Sequence, residues 1–436
     1  MQSRPLRSAI VILAVATSLL AACAAPGGAG NTPSAGGPIK VGFLASLTGV
    51  AAGPANDMRN GFELFWRQNN NRVAGRDIQA VVGDDEGKPN VGLSVAGRMV
   101  ERDQVNVMVG PHLASVGSAV GEYLGTKNIP MIYPIPASGA FLKKPIDTML
   151  LAGGVAAQFT HPLGKWAAGQ GKRRAITISS DYTFGQEIAG GFADTFTDYG
   201  GQVAKQLWTP LGTTDYGPFV SEIAAGNYDV VFNGLQANDA VVFQKAWDSF
   251  GLTKNGPLMV EAPSTIDQSL IRSMGPAAEG TVSMGHFAEG RTTGETARFV
   301  GAYEQQYHQL PGYYAASGYF GAQLVAAALE KLGGNIPAAK VFIQAAGSIS
   351  LPDSVFGPVS MDEHGNIKLD GYLRKVEKRP DGSYWNVVTQ TIPAVSPSFE
   401  YSYDAFLAQP TYNRDYQGVG WPTSCAAYVA DCPLGR

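Results

Sequence analysis

Few side chains of this chain are placed for covalent chemistry. The five histidines, His112, His161, His286, His308 and His364, stand far apart, and no His-Glu-x-x-His pair exists to hold a metal ion. A Gly-x-Gly-x-x-Gly turn after a strand, a phosphate loop and a Gly-x-Ser-x-Gly nucleophile elbow are also missing. Asp84-Asp85 is a carboxylate pair after an apolar run, where one acid could work against the other, but the pair reads first as a solvated loop or a helix cap. The residues therefore argue against an enzyme, and against a metal ion or cofactor. More informative are four short stretches: Ser46-Leu-Thr-Gly, Gly110-Pro-His-Leu-Ala-Ser, Tyr133-Pro-Ile-Pro-Ala-Ser and Ser180-Asp-Tyr-Thr-Phe-Gly. Each sets small or hydroxyl residues just before a helical pattern, so unpaired backbone N–H groups and the positive helix end face outward, an arrangement suited to a carboxylate.

Those stretches need elements to position them. Apolar runs at 39–45, 78–82, 105–109 and 129–133 alternate with helical patterns at 90–102 and 115–124, and the alternation restarts at 175–179, 203–208, 230–233 and 258–260 with helices at 185–199, 219–225 and 237–250. Strands that alternate with helices over short connections form doubly wound parallel sheets, and ligands of such sheets bind beyond the carboxyl ends of the strands. Two sheets are expected, because one core stops growing near 250–300 residues. Further helices are expected at 319–332 and 338–347, then a hairpin from 362 to 383.

Composition narrows the class. Charged residues reach only 16%, against about 25% in ordinary domains, and 32 basic residues against 36 acidic ones leave a net charge of −4. That balance provides no basic stripe for a nucleic acid. Arg4 and Arg7 precede an apolar run from Ala9 to Leu20, too short to span a bilayer and suited to a signal peptide over 1–22. Leu20-Ala-Ala-Cys23 resembles the bacterial lipobox, in which Cys23 would take a lipid and hold the chain to the membrane; the alternative is an ordinary signal peptide with a chance cysteine. An Ala/Pro/Gly-rich stretch to residue 37 reads as a tether, so the protein is expected outside the cytoplasm, facing the periplasm or the cell exterior. Cys425 and Cys432 are expected to pair in a Tyr/Pro/Ser-rich arm over 393–436, the alternative being two free thiols.

The order Lys40-Val-Gly-Phe-Leu, Leu47-Thr-Gly, Gly61, Asp84-Asp85, Val109-Gly-Pro, Ile129-Pro-Met-Ile-Tyr-Pro, Asp181-Tyr-Thr-Phe-Gly, Ala278-Glu-Gly and Phe356-Gly-Pro-Val resembles the leucine/isoleucine/valine-binding family, type I extracytoplasmic receptors of ABC importers. The resemblance implies an α/β fold of two doubly wound lobes joined by three crossovers, the first over 38–154 and 286–366, the second over 155–285 and 367–392. It also implies a monomer that closes on a small molecule and delivers it to a membrane permease and its ATPase. Where the family grips an amino-acid carboxylate, this chain has Ala114, Ile135 and Ala137, with Ser115 and Ser138 one position along. On the second lobe the corresponding aromatics fall at Phe184 and Leu235, beside Tyr182 and Gln236, and the ammonium-binding acid has only Glu261 nearby. Tyr314 keeps the late aromatic of the first lobe, and Thr48 and His112 complete the expected lining. Burying an ammonium without a carboxylate costs several kcal/mol. The departure therefore implies a small organic acid with an apolar or aromatic body; the alternatives are an amino-acid site with Glu261 as its acid, or a receptor for a membrane sensor.

Overall fold

The computed structural model describes residues 37–49, 51–409 and 411–418. Cys23, Cys425, Cys432 and the expected signal peptide lie outside the described residues, as does the tether apart from Gly37.

In the first strand, β1 (Ile39–Ala45), every residue except Lys40 is buried. That is the mark of a parallel strand covered on both faces. It pairs in parallel with β3 (Arg76–Asp84) on one side and β4 (Val107–Val109) on the other. With β2 (Arg72–Val73), β5 (Met131–Tyr133) and β6 (Met149–Leu151) they form a six-stranded sheet in the order β2-β3-β1-β4-β5-β6. The second sheet has a parallel centre, β8-β7-β9-β10-β11, made by β7 (Arg174–Ser180), β8 (Gln202–Thr209), β9 (Val230–Gly234), β10 (Leu258–Glu261) and β11 (Val282–Gly285). Beyond β11 it continues antiparallel into β12 (Leu351–Ser354), β13 (Gly357–Met361), β14 (Ile367–Lys378) and β15 (Tyr384–Val395).

Helices cover both sheets. Ala52–Gln68 lays Met58, Phe62, Phe65 and Trp66 on the first core, spaced as one helical face. After β11 the chain returns to that core with the helices Gly294–Tyr307, Tyr313–Lys331 and Ala339–Ala346. The boundary between lobes differs from the expected one at residue 366. Along β14, Ile367 and Leu369 belong to the first core, while Leu373 and Val376 belong to cores of the second. Val395, expected in the arm, also packs in the first core. A twelve-residue strand is long enough to leave one lobe and pair in the other, so the change of core falls inside it.

The arm is not shapeless either. It forms the helix Tyr403–Ala408 and then docks Tyr412 and Tyr416 on the buried carboxylate of Asp194, with Gln409 Nε2 2.5 Å from Oδ2 of the same residue.

Candidate functional site

The carboxyl ends of β1, β3, β4 and β5 in one lobe face those of β7 and β9 in the other across a cavity of about 260 Å³. Loops that leave parallel strands can turn here without meeting a covering helix, which is why the site forms at this edge. Gly110 makes the β4 loop possible: its φ is +107° and a Cβ there would stand 2.1 Å from the carbonyl oxygen of Leu44 on β1.

From the first lobe the cavity is lined by Thr48, His112, Ala114, Ser115, Ile135 and Tyr314, and from the second by Tyr182, Phe184 and Gln236. The helix Ala114–Thr126 begins at the cavity with Leu113 as its N-cap and no capping side chain, so its first-turn N–H groups are available to an acceptor. His112 is 4% exposed, and its Nδ1 has no hydrogen-bond partner among the described residues. Burial lowers its pKa to about 4, so the ring is a neutral imidazole. It stands edge-on to Tyr314 at 5.0 Å between centroids, and Tyr314 in turn lies 4.6 Å from Tyr313, which also lines the cavity. Tyr182 and Phe184 face them from the other lobe, and burial raises the Tyr182 and Tyr314 phenols, which stay protonated.

Among the described lining residues none is Lys or Arg, and Glu86 is the sole carboxylate. Glu86 is exposed and paired with Lys88 at 2.9 Å.

Four expected residues are not brought to the cavity. Ser138 gives its hydroxyl to Glu187 on the helix Thr183–Asp198 of the second lobe, and the neighbouring Gly139 N–H donates to the same carboxylate at 3.0 Å. It therefore ties lobe to lobe. Ala137 is fully buried, its N–H on Gly154 O at 3.0 Å. Leu235 is buried in a second-lobe core. Glu261 is fully buried at the end of β10, where its Oε1 accepts from Asn233 Nδ2 at 2.9 Å and its Oε2 has no partner among the described residues. Burial pushes this carboxyl up to about 8, against the opposing charge of Arg374, which makes it a neutral core group. His286 is fully buried, and neither of its ring nitrogens has a hydrogen-bond partner among the described residues.

The sequence reading overlooked Tyr313 and Glu86 on the first lobe and Leu211 and Leu270 on the second, while Ser46 belongs to one of the four stretches it singled out. Tyr313 stood beside an expected residue. Leu211 and Leu270 carried no signal, because an isolated leucine in a turn or in a helix of only seven residues does not announce which surface it faces.

A model of the periplasmic binding protein family matches residues 38–382. The Leu/Ile/Val-binding protein homolog 6 of Brucella suis biovar 1 (strain 1330) is 26% identical over 363 residues, covering 81% of this chain and 91% of its own. A crystal structure of a solute-binding protein of an ABC transporter from Rhodopseudomonas palustris BisB5, in complex with 3,4-dihydroxybenzoic acid, superposes with a TM-score of 0.76 at 28% identity and covers 83% of this chain and 98% of that one. A second, from Rhodopseudomonas palustris HaA2 with p-hydroxybenzoic acid, gives a TM-score of 0.75 at 25% identity, with the same coverage of 83% and 98%. A match over nearly the whole two-lobed body decides the assignment: the chain belongs to the periplasmic binding protein family, as a solute-binding protein resembling the Leu/Ile/Val-binding proteins, and not an enzyme.

Proposed function

We propose that the protein captures a small aromatic carboxylic acid between its lobes and hands it to the permease of an ABC importer. The observation that carries this reading is the make-up of the cavity: Tyr182 and Phe184 on one lobe oppose Tyr313 and Tyr314 on the other, and no desolvated carboxylate stands ready for an ammonium. Aromatic faces hold a flat ring, while the uncapped start of the helix Ala114–Thr126, helped by Ser115, suits the acid. The two Rhodopseudomonas palustris proteins bind ligands of this class in their crystals, which supports the same reading here.

Calorimetric titration with benzoate, 4-hydroxybenzoate and 3,4-dihydroxybenzoate, alongside leucine, isoleucine and valine, tests it. An aromatic acid is expected to bind and, at 100 times its dissociation constant, to add about 2.7 kcal/mol of stability. Phe184→Ala and Tyr314→Ala should each weaken it by roughly tenfold or more, the loss of ring contact and of buried area together. Micromolar binding of leucine with no response to any aromatic acid would overturn the proposal.

Export and anchoring belong to the same proposal. With Cys23 carrying the lipid, Cys23→Ser should move the protein from the membrane fraction to the soluble one, because an Ala/Pro/Gly-rich tether has no large apolar side chain to hold a bilayer. Unchanged membrane retention would refute the anchor.

A further inference from the structure

Asp84 and Asp85 organise one wall of the cavity by absorbing its donors. Asp84 Oδ1 accepts from the backbone N–H groups of Leu47 and Glu86, both at 2.9 Å, and of Thr48 at 3.4 Å, while its Oδ2 accepts from Thr48 Oγ1 at 2.7 Å. Asp85 Oδ1 accepts from Ser46 Oγ at 2.7 Å and from the Gly87 N–H at 2.8 Å. An ionised carboxylate can only accept, so each of these donors is spent on an aspartate. Ser46, Thr48, Glu86 and Gly87 line the cavity, and what the two hydroxyls and Glu86 can still offer a ligand is lone pairs.

The protonation states keep this direction. Burial works to raise Asp84, but the bonds donated by Thr48, Glu86 and Leu47 outweigh it and hold its carboxyl below the ordinary range. Burial raises Asp85; any proton it takes would sit on Oδ2, which has no partner, so Ser46 still donates to Oδ1.

The wall formed by the start of the helix Ala114–Thr126 has the opposite character, with uncapped N–H groups and no acceptor built against them. His112 lines the same cavity with a buried Nδ1 that no group among the described residues satisfies, an independent sign that a ligand completes the polar surface.

Resting on the aromatic-acid reading above, we infer that the site is polarised, with donors for the acid at one wall and acceptors alone at the wall of Ser46 and Thr48, so that its ligand is a phenolic acid whose ring hydroxyl donates there. A ligand with only ring C–H or a methyl group at that position strips water from the lone pairs and returns nothing. Asp84 and Asp85 act through Ser46 and Thr48 and are positioning residues; Thr48 is the specificity residue.

Calorimetry with 4-hydroxybenzoate, benzoate and 4-methoxybenzoate reads this directly, because the methoxy compound keeps the oxygen and loses the donor. The hydroxy acid is expected to bind at least tenfold more tightly than either analogue. In Asp84→Asn the new amide can donate to Thr48 Oγ1, which frees the hydroxyl hydrogen to turn toward the cavity, and the hydroxy-to-methoxy ratio should fall several-fold. Should that variant fold poorly, Thr48→Val removes the acceptor by itself and should lower the same ratio. Equal affinities for the three acids in the unaltered protein would overturn the inference and leave the aromatic-acid reading standing. Failure of all three to bind would overturn both.

Discussion

Gly61→Val is expected to destabilise the protein by about 3 kcal/mol or more, the upper end of what overpacking does. A Cβ at Gly61 would stand 1.8 Å from the carbonyl oxygen of Ala315, and one at Gly318 would stand 1.8 Å from that of Met58. The helices Ala52–Gln68 and Tyr313–Lys331 thus touch backbone to backbone, each opening a gap for the other. Neither obstacle is the movable end of a side chain. Relief would require the helices to part, and that would uncover Met58 and Phe62, both fully buried in the first core. Because Tyr313 and Tyr314 head the second of these helices, the same shift would also loosen the aromatic wall of the cavity. Urea denaturation checks the magnitude, with Gly301→Ala as its counterpart. Gly301 sits in the exposed middle of the helix Gly294–Tyr307 with nothing within 4 Å of its Cβ position, so alanine there should add about 0.5–1 kcal/mol. A midpoint for Gly61→Val close to that of the unaltered protein would show that the helices can separate at little cost.

The central strands of both sheets were legible because a strand buried on two faces is mostly apolar, as Val41, Phe43 and Leu44 of β1 and Val230, Val231 and Phe232 of β9 are, whereas the short β2, β6 and β11 were not. Helices with one wet face, such as Pro89–Glu101, were legible for the complementary reason, although Gly294–Tyr307, which has the same pattern, was overlooked. The helix Tyr313–Lys331 was expected to begin only at 319, since Tyr313 to Gly318 are all buried and supply no polar side from which a period could be read. A helix wrapped by protein on every side looks from its sequence like a loop or a strand. The short helices Gln268–Met274 and Ala140–Lys143 escaped detection because fewer than eight residues hardly complete a period.

The place of the site followed from topology, which fixes where loops of parallel strands gather. The direction of individual side chains did not follow. Ser138 sits in a loop at the cavity edge, yet its hydroxyl crosses to Glu187; a sequence shows that a hydroxyl is near a cleft, not which lobe receives it. Asp84-Asp85 was visible as a pair, and its function was not, because that function comes from pairing. The register sets Ala45 against Asp84, which brings Ser46 and Thr48 beside the two carboxylates from a strand some forty residues distant.

Glu261→Gln is expected to stabilise the protein by on the order of 5 kcal/mol at pH 9 and to change it far less at pH 5. The folded chain holds this carboxyl protonated up to about 8, while the unfolded chain releases the proton near the ordinary value of 4.5. A group raised on folding contributes stability that is fully present below the unfolded pKa and is lost as pH rises through the folded one, so the native side chain weakens the fold between pH 4.5 and pH 8. Glutamine carries no such charge. Its Oε1 can keep the bond from Asn233, and its nitrogen takes the place of an Oε2 that has no partner. The nearby Arg374 works the other way, since its charge favours the carboxylate, and that attraction keeps the gain below what burial alone would give. The cavity is built without Glu261, so the affinity for an aromatic acid should stay the same in this variant. Urea titrations of the two proteins at both pH values decide the matter: no gain at pH 9 would mean that Arg374 holds Glu261 as a carboxylate, whereas a loss of leucine binding in the variant would restore this residue as the partner of an ammonium.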